Sequence, residues 1–242
     1  MERDTPLLEC KGINCGYADM QVLYDVYLTV KEKEAVVIFG SNGSGKSTLL
    51  KTLSGLLKPW NGSVRFYDRD ITDLAPHERA RLGISFASDT RNLFLSMSVE
   101  ENLILGAYTN RKRLRKNLEM VYHYFPELAN MKKKLAGELS GGYQRMLSIG
   151  RALMSEPHLL MIDELSLGLS PNMVDRLGEA LTNINRENGL AMLVVEQEIY
   201  LASNMCKRGY VLDLGKIVAQ GEVQKLLQED TVRRVYMGGS HP

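Results

Sequence analysis

Cysteine is scarce in this 242-residue sequence: Cys10, Cys15 and Cys206 are the whole set, and no two form a C-x-x-C pair. With an odd and unpatterned count, neither a disulfide framework nor a zinc site is indicated, and reduced thiols are expected. Long apolar runs are also missing. No segment reaches the roughly 18 uninterrupted apolar residues of a spanning helix, so nothing is expected to cross a bilayer. The opening Met-Glu-Arg-Asp-Thr-Pro carries no basic stretch leading into an apolar core and does not read as a signal peptide. Charge of one sign is absent as well. Thirty Lys and Arg against 29 Asp and Glu leave a net charge of +1, with no basic field to recruit nucleic acid, and no nucleic-acid partner is expected. The basic runs Arg111 to Lys116 and Lys132 to Lys134 are local. They read as a solvated helix face and loop, or as a contact with anionic headgroups or a membrane partner.

What is present is an ordinary globular composition, 44% hydrophobic and 24% charged, long enough to bury a sizeable core. Short apolar runs alternate with longer helical patterns, which points to an α/β layer fold. Strands are expected at 7–14, 22–30, 35–39 and 63–67, with turns at Gly16 to Asp19 and Pro59 to Gly62. A helix is expected at 46–57. From about Ser88 to Glu156 the pattern becomes mostly helical, with a capping box at Ser98 to Glu101 and a helix over 111–125. Strands at 159–162 and 190–195 flank a helix over 171–187 that begins at Pro171. A helix near 198–206, strands near 209–213 and 216–219 and a helix near 222–228 complete the chain. With no repeat and no low-complexity linker, this is one cassette over 1–242 carrying a helical insertion at about 90–156.

Chemistry enters at Gly40-Ser41-Asn42-Gly43-Ser44-Gly45-Lys46-Ser47, followed by Thr48. The stretch matches G-x-x-x-x-G-K-[ST] between an expected strand and an expected helix. Glycines let consecutive backbone N–H groups converge on phosphate oxygens without Cβ clashes, and the helix adds its positive dipole end. Lys46 is the candidate to neutralise the β and γ phosphates of ATP, and the Ser47 hydroxyl to hold Mg²⁺. Downstream, Leu159-Leu160-Met161-Ile162-Asp163-Glu164 is an apolar run ending in two carboxylates. Asp163 is the candidate for the Mg²⁺ shell and Glu164 the candidate base for the attacking water. Acidic pairs at strand ends are common by chance, so this pair gains its meaning from the glycine loop before it. A third element, Leu139-Ser140-Gly141-Gly142-Tyr143-Gln144-Arg145, places a serine and two glycines at a helix start, another anion-binding surface.

With these three motifs in this order, the sequence resembles the ABC ATPase family over nearly its whole length. The resemblance implies a P-loop (RecA-like) ATPase core with an N-terminal antiparallel β subdomain and a helical insertion subdomain. It also implies two cassettes paired head to tail, so that Ser140, Gly141 and Gly142 would meet the γ phosphate of ATP held by the partner cassette. Tyr17 falls where the family stacks an aromatic on adenine; its other reading is a surface turn tyrosine. Within the family, several stretches are similar to the ATP-binding subunits of branched-chain amino-acid importers: Thr90-Arg91-Asn92-Leu93-Phe94, Ser98 to Leu103, Ser166 to Pro171, Val195-Glu196-Gln197 and Arg233 to Gly239. The implied partners are membrane subunits, a second cassette (a copy or a related chain) and, indirectly, a solute-binding protein. The implied location is the cytoplasmic face of the cell membrane.

Four positions depart from the usual family pattern. Asp89 stands where most members carry a glutamine that senses the γ phosphate and touches the membrane subunits. It is a metal-shell candidate through water, or a solvated turn residue. Gln197 replaces the switch histidine; its neutral amide still donates to phosphate but carries no charge. Leu165 replaces a common proline after the catalytic glutamate, and Ser170 a common aspartate. Expected function is therefore ATP hydrolysis by Lys46, Glu164 and Gln197, coupled to import of branched-chain amino acids or related small amides. The competing class is a non-transport assembly scaffold or regulator, and a blander one is a module that only signals nucleotide occupancy.

Overall fold

A computed structural model describes residues 5–88, 92–197 and 199–229, and within these the chain builds two sheets with helices around the larger one. Numbering the elements in chain order, the smaller sheet contains β1 (Leu8–Tyr17), β2 (Met20–Val30), β4 (Asn61–Phe66) and β5 (Arg69–Asp70), in the order β2-β1-β4-β5. All its pairings are antiparallel. The larger has the order β10-β9-β3-β8-β7-β6, formed by β3 (Ala35–Phe39), β6 (Ile84–Ala87), β7 (Leu159–Asp163), β8 (Ala191–Val195), β9 (Arg208–Asp213) and β10 (Lys216–Glu222). Its strands pair in parallel except for β10, which lies antiparallel on one edge.

The central strands are short, continuous apolar runs because both of their faces are covered. Along β3 the period of two divides the side chains cleanly. Val36 and Ile38 join the small sheet and helix α1 (Lys46–Ser54) in one core, with Leu8, Leu23, Leu49 and Leu53. Val37 and Phe39 point the other way. They pack with Leu103 of α3 (Val99–Gly106), Met146 and Leu147 of α6 (Gly141–Leu153) and Leu181 of α7 (Pro171–Asn188). The remaining helices are α2 (Pro76–Arg81), α4 (Leu114–Tyr124), α5 (Pro126–Asn130), α8 (Ile199–Met205) and α9 (Val223–Leu226). Between β6 and β7 the regular elements are helical, and Ser98 caps α3 as a capping box, accepting from the Glu101 amide while the Glu101 carboxylate accepts from Ser98 N at 2.7 Å.

Several boundaries differ from the expected ones for physical reasons. The helix expected to reach Leu57 stops at Ser54, because Gly55 turns left-handed (φ 81°) and its N–H closes on Thr52 O. The first hairpin turns at Ala18 and Asp19 alone, so β1 runs on to Tyr17. The helix expected over 111–125 opens with a separate 3₁₀ turn at Arg111–Arg113 before α4 begins. Strand β6, four residues long, was not foreseen; Ile-Ser-Phe-Ala is too short to show a period. All three cysteines are buried and unpaired, and burial pushes the thiols of Cys10 and Cys206 up to about 12. No helix among the described residues is long and apolar enough to cross a membrane.

Candidate functional site

The candidate residues converge where β3, β7 and β8 end, which is where open α/β sheets bind ligands. The glycine loop leaves Phe39 and delivers the chain into α1 through Gly43 (φ 81°) and Gly45 (φ 105°). Both values lie where side chains with a Cβ are strained. Gly40 is needed for space instead: a Cβ there would sit 2.3 Å from Leu212 O and 2.5 Å from Ser44 Oγ. That Ser44 hydroxyl is buried and has no hydrogen-bond partner. An orphaned donor in a loop of convergent amides is what a phosphate oxygen would satisfy.

Lys46 is 4% exposed and folds back onto its own loop, donating to Gly40 O at 2.9 Å and Ser41 O at 2.8 Å. Burial pulls its ammonium below the ordinary lysine value, while Glu164, Asp163 and Glu196 pull the other way. A polyphosphate placed here would supply the counter-charge that the carbonyls lack. One residue on, Ser47 Oγ donates to Asp163 Oδ1 at 3.2 Å. Burial raises Asp163 above the usual aspartate value, Glu164 adds to the effect, and Ser47, Arg145 and Lys46 oppose it. Two hard oxygen donors side by side fit Mg²⁺, which takes few protein ligands and leaves its other positions to phosphate and water. No group of three or more His, Cys, Asp or Glu is poised for a metal among the described residues.

Glu164 has left-handed backbone (φ 51°) and its N–H donates to Val195 O at 2.9 Å, which turns its side chain out of the strand line. A non-glycine residue held there stores strain of order 1–3 kcal/mol, a feature that gathers at functional sites. Its Oε1 accepts from Gln197 Nε2 at 2.9 Å, and the same Nε2 reaches Asn42 Oδ1 at 2.7 Å. The end of β8, the glycine loop and the end of β7 are thereby joined through one amide.

Tyr17 is 44% exposed beside α1; Lys51 lies 5.7 Å from its ring centroid, and Thr48 Oγ1 and Lys51 Nζ each lie 3.4 Å from its hydroxyl. Ser140 is the N-cap of α6 without a side-chain cap bond, and it is exposed. A Cβ on Gly142 would meet Met173 at 2.8 Å, whereas one on Gly141 would meet nothing within 4 Å. Gly141 also lacks a positive φ, so nothing among the described residues requires a glycine there. Asp89, the remaining metal-shell candidate, lies outside the described residues, as do Thr90, Arg91 and the 233–239 stretch.

Two residues central to this geometry were not singled out by sequence. Arg145 is 5% exposed and donates from α6 to the main-chain oxygens of Ser88 and Glu164, the latter at 3.1 Å, and to Asp163 O. It ties the helix of the third motif to the carboxylate pair. Glu196, 1% exposed, accepts from Ser166 N and Oγ and from Gln197 N. Its position within an otherwise apolar strand end was the available signal. Leu165 is fully buried in the core, which accounts for an apolar residue at that position, while Ser170 is the exposed N-cap of α7. A cavity of about 630 Å³ runs from Ser47, Asp163 and Glu164 to Arg145 and Gly141.

A family model described as ABC transporter matches residues 23–166. The chain is 38% identical to the high-affinity branched-chain amino acid transport ATP-binding protein BraG of Pseudomonas aeruginosa, covering 96% of this chain and 100% of that one. It is 34% identical to the probable branched-chain amino acid transport ATP-binding protein LivF of Archaeoglobus fulgidus (96% and 99% covered). It is 30% identical to the lipopolysaccharide export system ATP-binding protein LptB of Haemophilus influenzae (96% and 97% covered). Among solved structures, it superposes on the ADP conformation of an ATP-binding cassette of an ABC transporter with a TM-score of 0.85 and 28% identity, covering 96% of this chain and 99% of that one. It also superposes on a dimeric post-hydrolysis cassette bound to ADP and Pi with a TM-score of 0.77, at 28% identity and 89% and 98% coverage.

Proposed function

The chain belongs to the ABC transporter family and is one of its ATP-hydrolysing cassettes, and from that premise we propose that it drives import of branched-chain amino acids or related small amides. The observation that carries its chemistry is the single Gln197 amide shared between Asn42 of the glycine loop and Glu164. In this reading the loop amides and Lys46 hold the ATP phosphates, and Glu164 orients the attacking water and takes its proton. Gln197 positions the γ phosphate with a neutral donor. Ser47 and Asp163 would hold Mg²⁺, whose charge offsets that of the phosphates when bound. Little covalent work is asked of the protein; positioning and electrostatics do it.

The unexplained glycine at 141 supports a partner that comes close at this point. We assign Ser140, Gly141 and Gly142 to the γ phosphate of ATP on a second cassette, a copy or a related chain, and Tyr17 to the adenine. The whole of 1–242 then acts as one nucleotide-binding domain, with the helical stretch at about 90–156 as its insertion. A second groove, about 560 Å³, is lined by Leu56, Pro76, His77, Phe86, Ser88, Asn92, Phe94, Leu105 and Tyr108. Phe94, Leu105, Tyr108 and Leu56 are exposed apolar side chains there, and Ser88 and Asn92 flank the segment the family uses to touch its membrane subunits. This groove is our candidate seat for a membrane subunit, and in this reading the chain works at the cytoplasmic face. Closure of two cassettes on ATP then moves the seated segment as a rigid body. A solute-binding protein would act on the far side of the membrane subunits.

The test is reconstitution with the membrane subunits and solute-binding protein of a branched-chain amino-acid importer, in vesicles loaded with ATP. Uptake of labelled leucine or valine dependent on Lys46 supports the import reading. Lipid export by the same vesicles would give it the cargo of its lipopolysaccharide relative, and failure to associate with any membrane subunit would favour a non-transport scaffold.

A further inference from the structure

Arg79 is 1% exposed, the largest fully buried side chain among the described residues, and no carboxylate is among its hydrogen-bond partners. Its guanidinium instead donates to four main-chain oxygens. Two belong to the last turn of α1, Thr52 O at 2.9 Å and Leu53 O at 2.8 Å. The other two belong to the loop that leads into α2, Thr72 O at 2.8 Å and Leu74 O at 3.1 Å. A cation at a helix C-terminus answers the dipole and the orphaned carbonyls together. Room for it is built in: a Cβ on Gly55 would lie 2.9 Å from Arg79 Nε and 2.9 Å from Leu74 O. Gly55 therefore ends α1 and opens the space through which the guanidinium reaches it.

The two elements joined this way have different duties. Helix α1 begins with Lys46 and Ser47 at the phosphate loop, and most of its residues are buried. It is nine residues long, about 14 Å at 1.5 Å per residue. Helix α2 turns Pro76, His77 and Ala80 toward the 560 Å³ groove, and Ser54 and Leu56, just where α1 ends, line the same groove. One face of α2 therefore borders the groove while Arg79, on the same short helix, holds the far end of the phosphate-loop helix.

We propose that Arg79 is a positioning residue that couples the phosphate loop to the groove, making α1 and α2 one lever between nucleotide and seated partner. Its route passes through the back end of α1. The link to a membrane subunit rests on the groove assignment above; the link between the two helices does not. By reciprocity, filling the loop must alter α2 by the same free energy with which a groove occupant alters the loop.

Hydrogen exchange of the full chain with and without Mg-ADP tests this, because ADP fills the loop without the γ phosphate that joins two cassettes. In the native chain, exchange across residues 76–83 is expected to slow at least about threefold on saturation, since the open state of α2 must release α1. Arg79→Met is expected to lose that difference while binding Mg-ADP within about tenfold of the native chain, and Arg79→Lys to retain part of it. A purely structural cap would lower the exchange protection of α2 equally with and without nucleotide. Exchange at 76–83 that ignores bound Mg-ADP in the native chain overturns the proposal, as does an unchanged nucleotide effect in Arg79→Met. Should Arg79→Met fail to fold, the native chain and Arg79→Lys decide it alone. Failure of the native chain to bind Mg-ADP would sink the nucleotide-site reading, and this link with it.

Discussion

Gln197 donates to Glu164 Oε1 at 2.9 Å from the same nitrogen that reaches Asn42 Oδ1 at 2.7 Å. The end of β8 thus holds the candidate base and the phosphate loop at once. A hydrogen bond to a charged group is worth about 1.5–3 kcal/mol, which is roughly 10–100-fold in rate. Gln197→Ala is expected to lower turnover in the assembled complex by that factor with little change in ATP affinity. An unchanged catalytic rate would remove Gln197 from the mechanism.

Two glycines separate the needs of the fold from those of the site. Gly40→Ala must push a Cβ against Leu212 O, 2.3 Å away, and is expected to destabilise the chain by about 1–3 kcal/mol. Thermal unfolding of the purified variant measures it. Gly141→Ala meets nothing among the described residues and is expected to leave unfolding unchanged, or to stabilise it by about 0.5–1 kcal/mol at this helix start. Turnover of the paired cassettes should nevertheless fall at least about tenfold. Full activity in Gly141→Ala would remove the partner phosphate from this surface.

Asp163 carries a pH signature. Burial raises its carboxyl in the folded chain above its unfolded value. A raised group stabilises the fold while protonated and withdraws that stability as pH climbs through its folded value. Asp163→Asn escapes the withdrawal, so it is expected to melt above the native chain at pH 7.5. The gain should shrink on acidification and vanish below about pH 4, where both forms are neutral. Melting curves in Mg²⁺-free buffer across that window decide it; a gain that persists into acid would assign the stabilisation to something other than ionisation.

The two-cassette arrangement predicts a mass. The Glu164→Gln chain, which should hold ATP without turning it over, is expected to run as a monomer alone and to double in solution mass with Mg-ATP if it pairs with itself. With a related cassette co-expressed, the doubled species should contain both chains. A variant that binds ATP and stays monomeric under either condition contradicts the shared site.

Much of this site could be read in the sequence because its chemistry is local. The loop from Gly40 to Ser47 is one contiguous stretch, and a strand ending in Asp163-Glu164 announces itself through its apolar approach. Contacts across the fold were less legible. Nothing in Pro76-His77-Glu78-Arg79 says that Arg79 folds under α1, since the four carbonyls that receive it come from two other segments. Arg145 sits inside a motif recognised for its glycines, and only the packing of α6 on the end of β7 brings its guanidinium to Asp163 O and Glu164 O. Strand β6 was hidden by its length, and the early stop of α1 by a glycine whose left-handed turn depends on the space beneath it.

The account stands or falls on Glu164 as the base for the attacking water. Its most direct test is to measure ATP binding and ATP turnover side by side for native and Glu164→Gln chains in the assembled complex. Retained affinity with turnover reduced by roughly 10²–10⁴-fold, the usual contribution of a general base, is the predicted result. Turnover at the native rate in Glu164→Gln would contradict it.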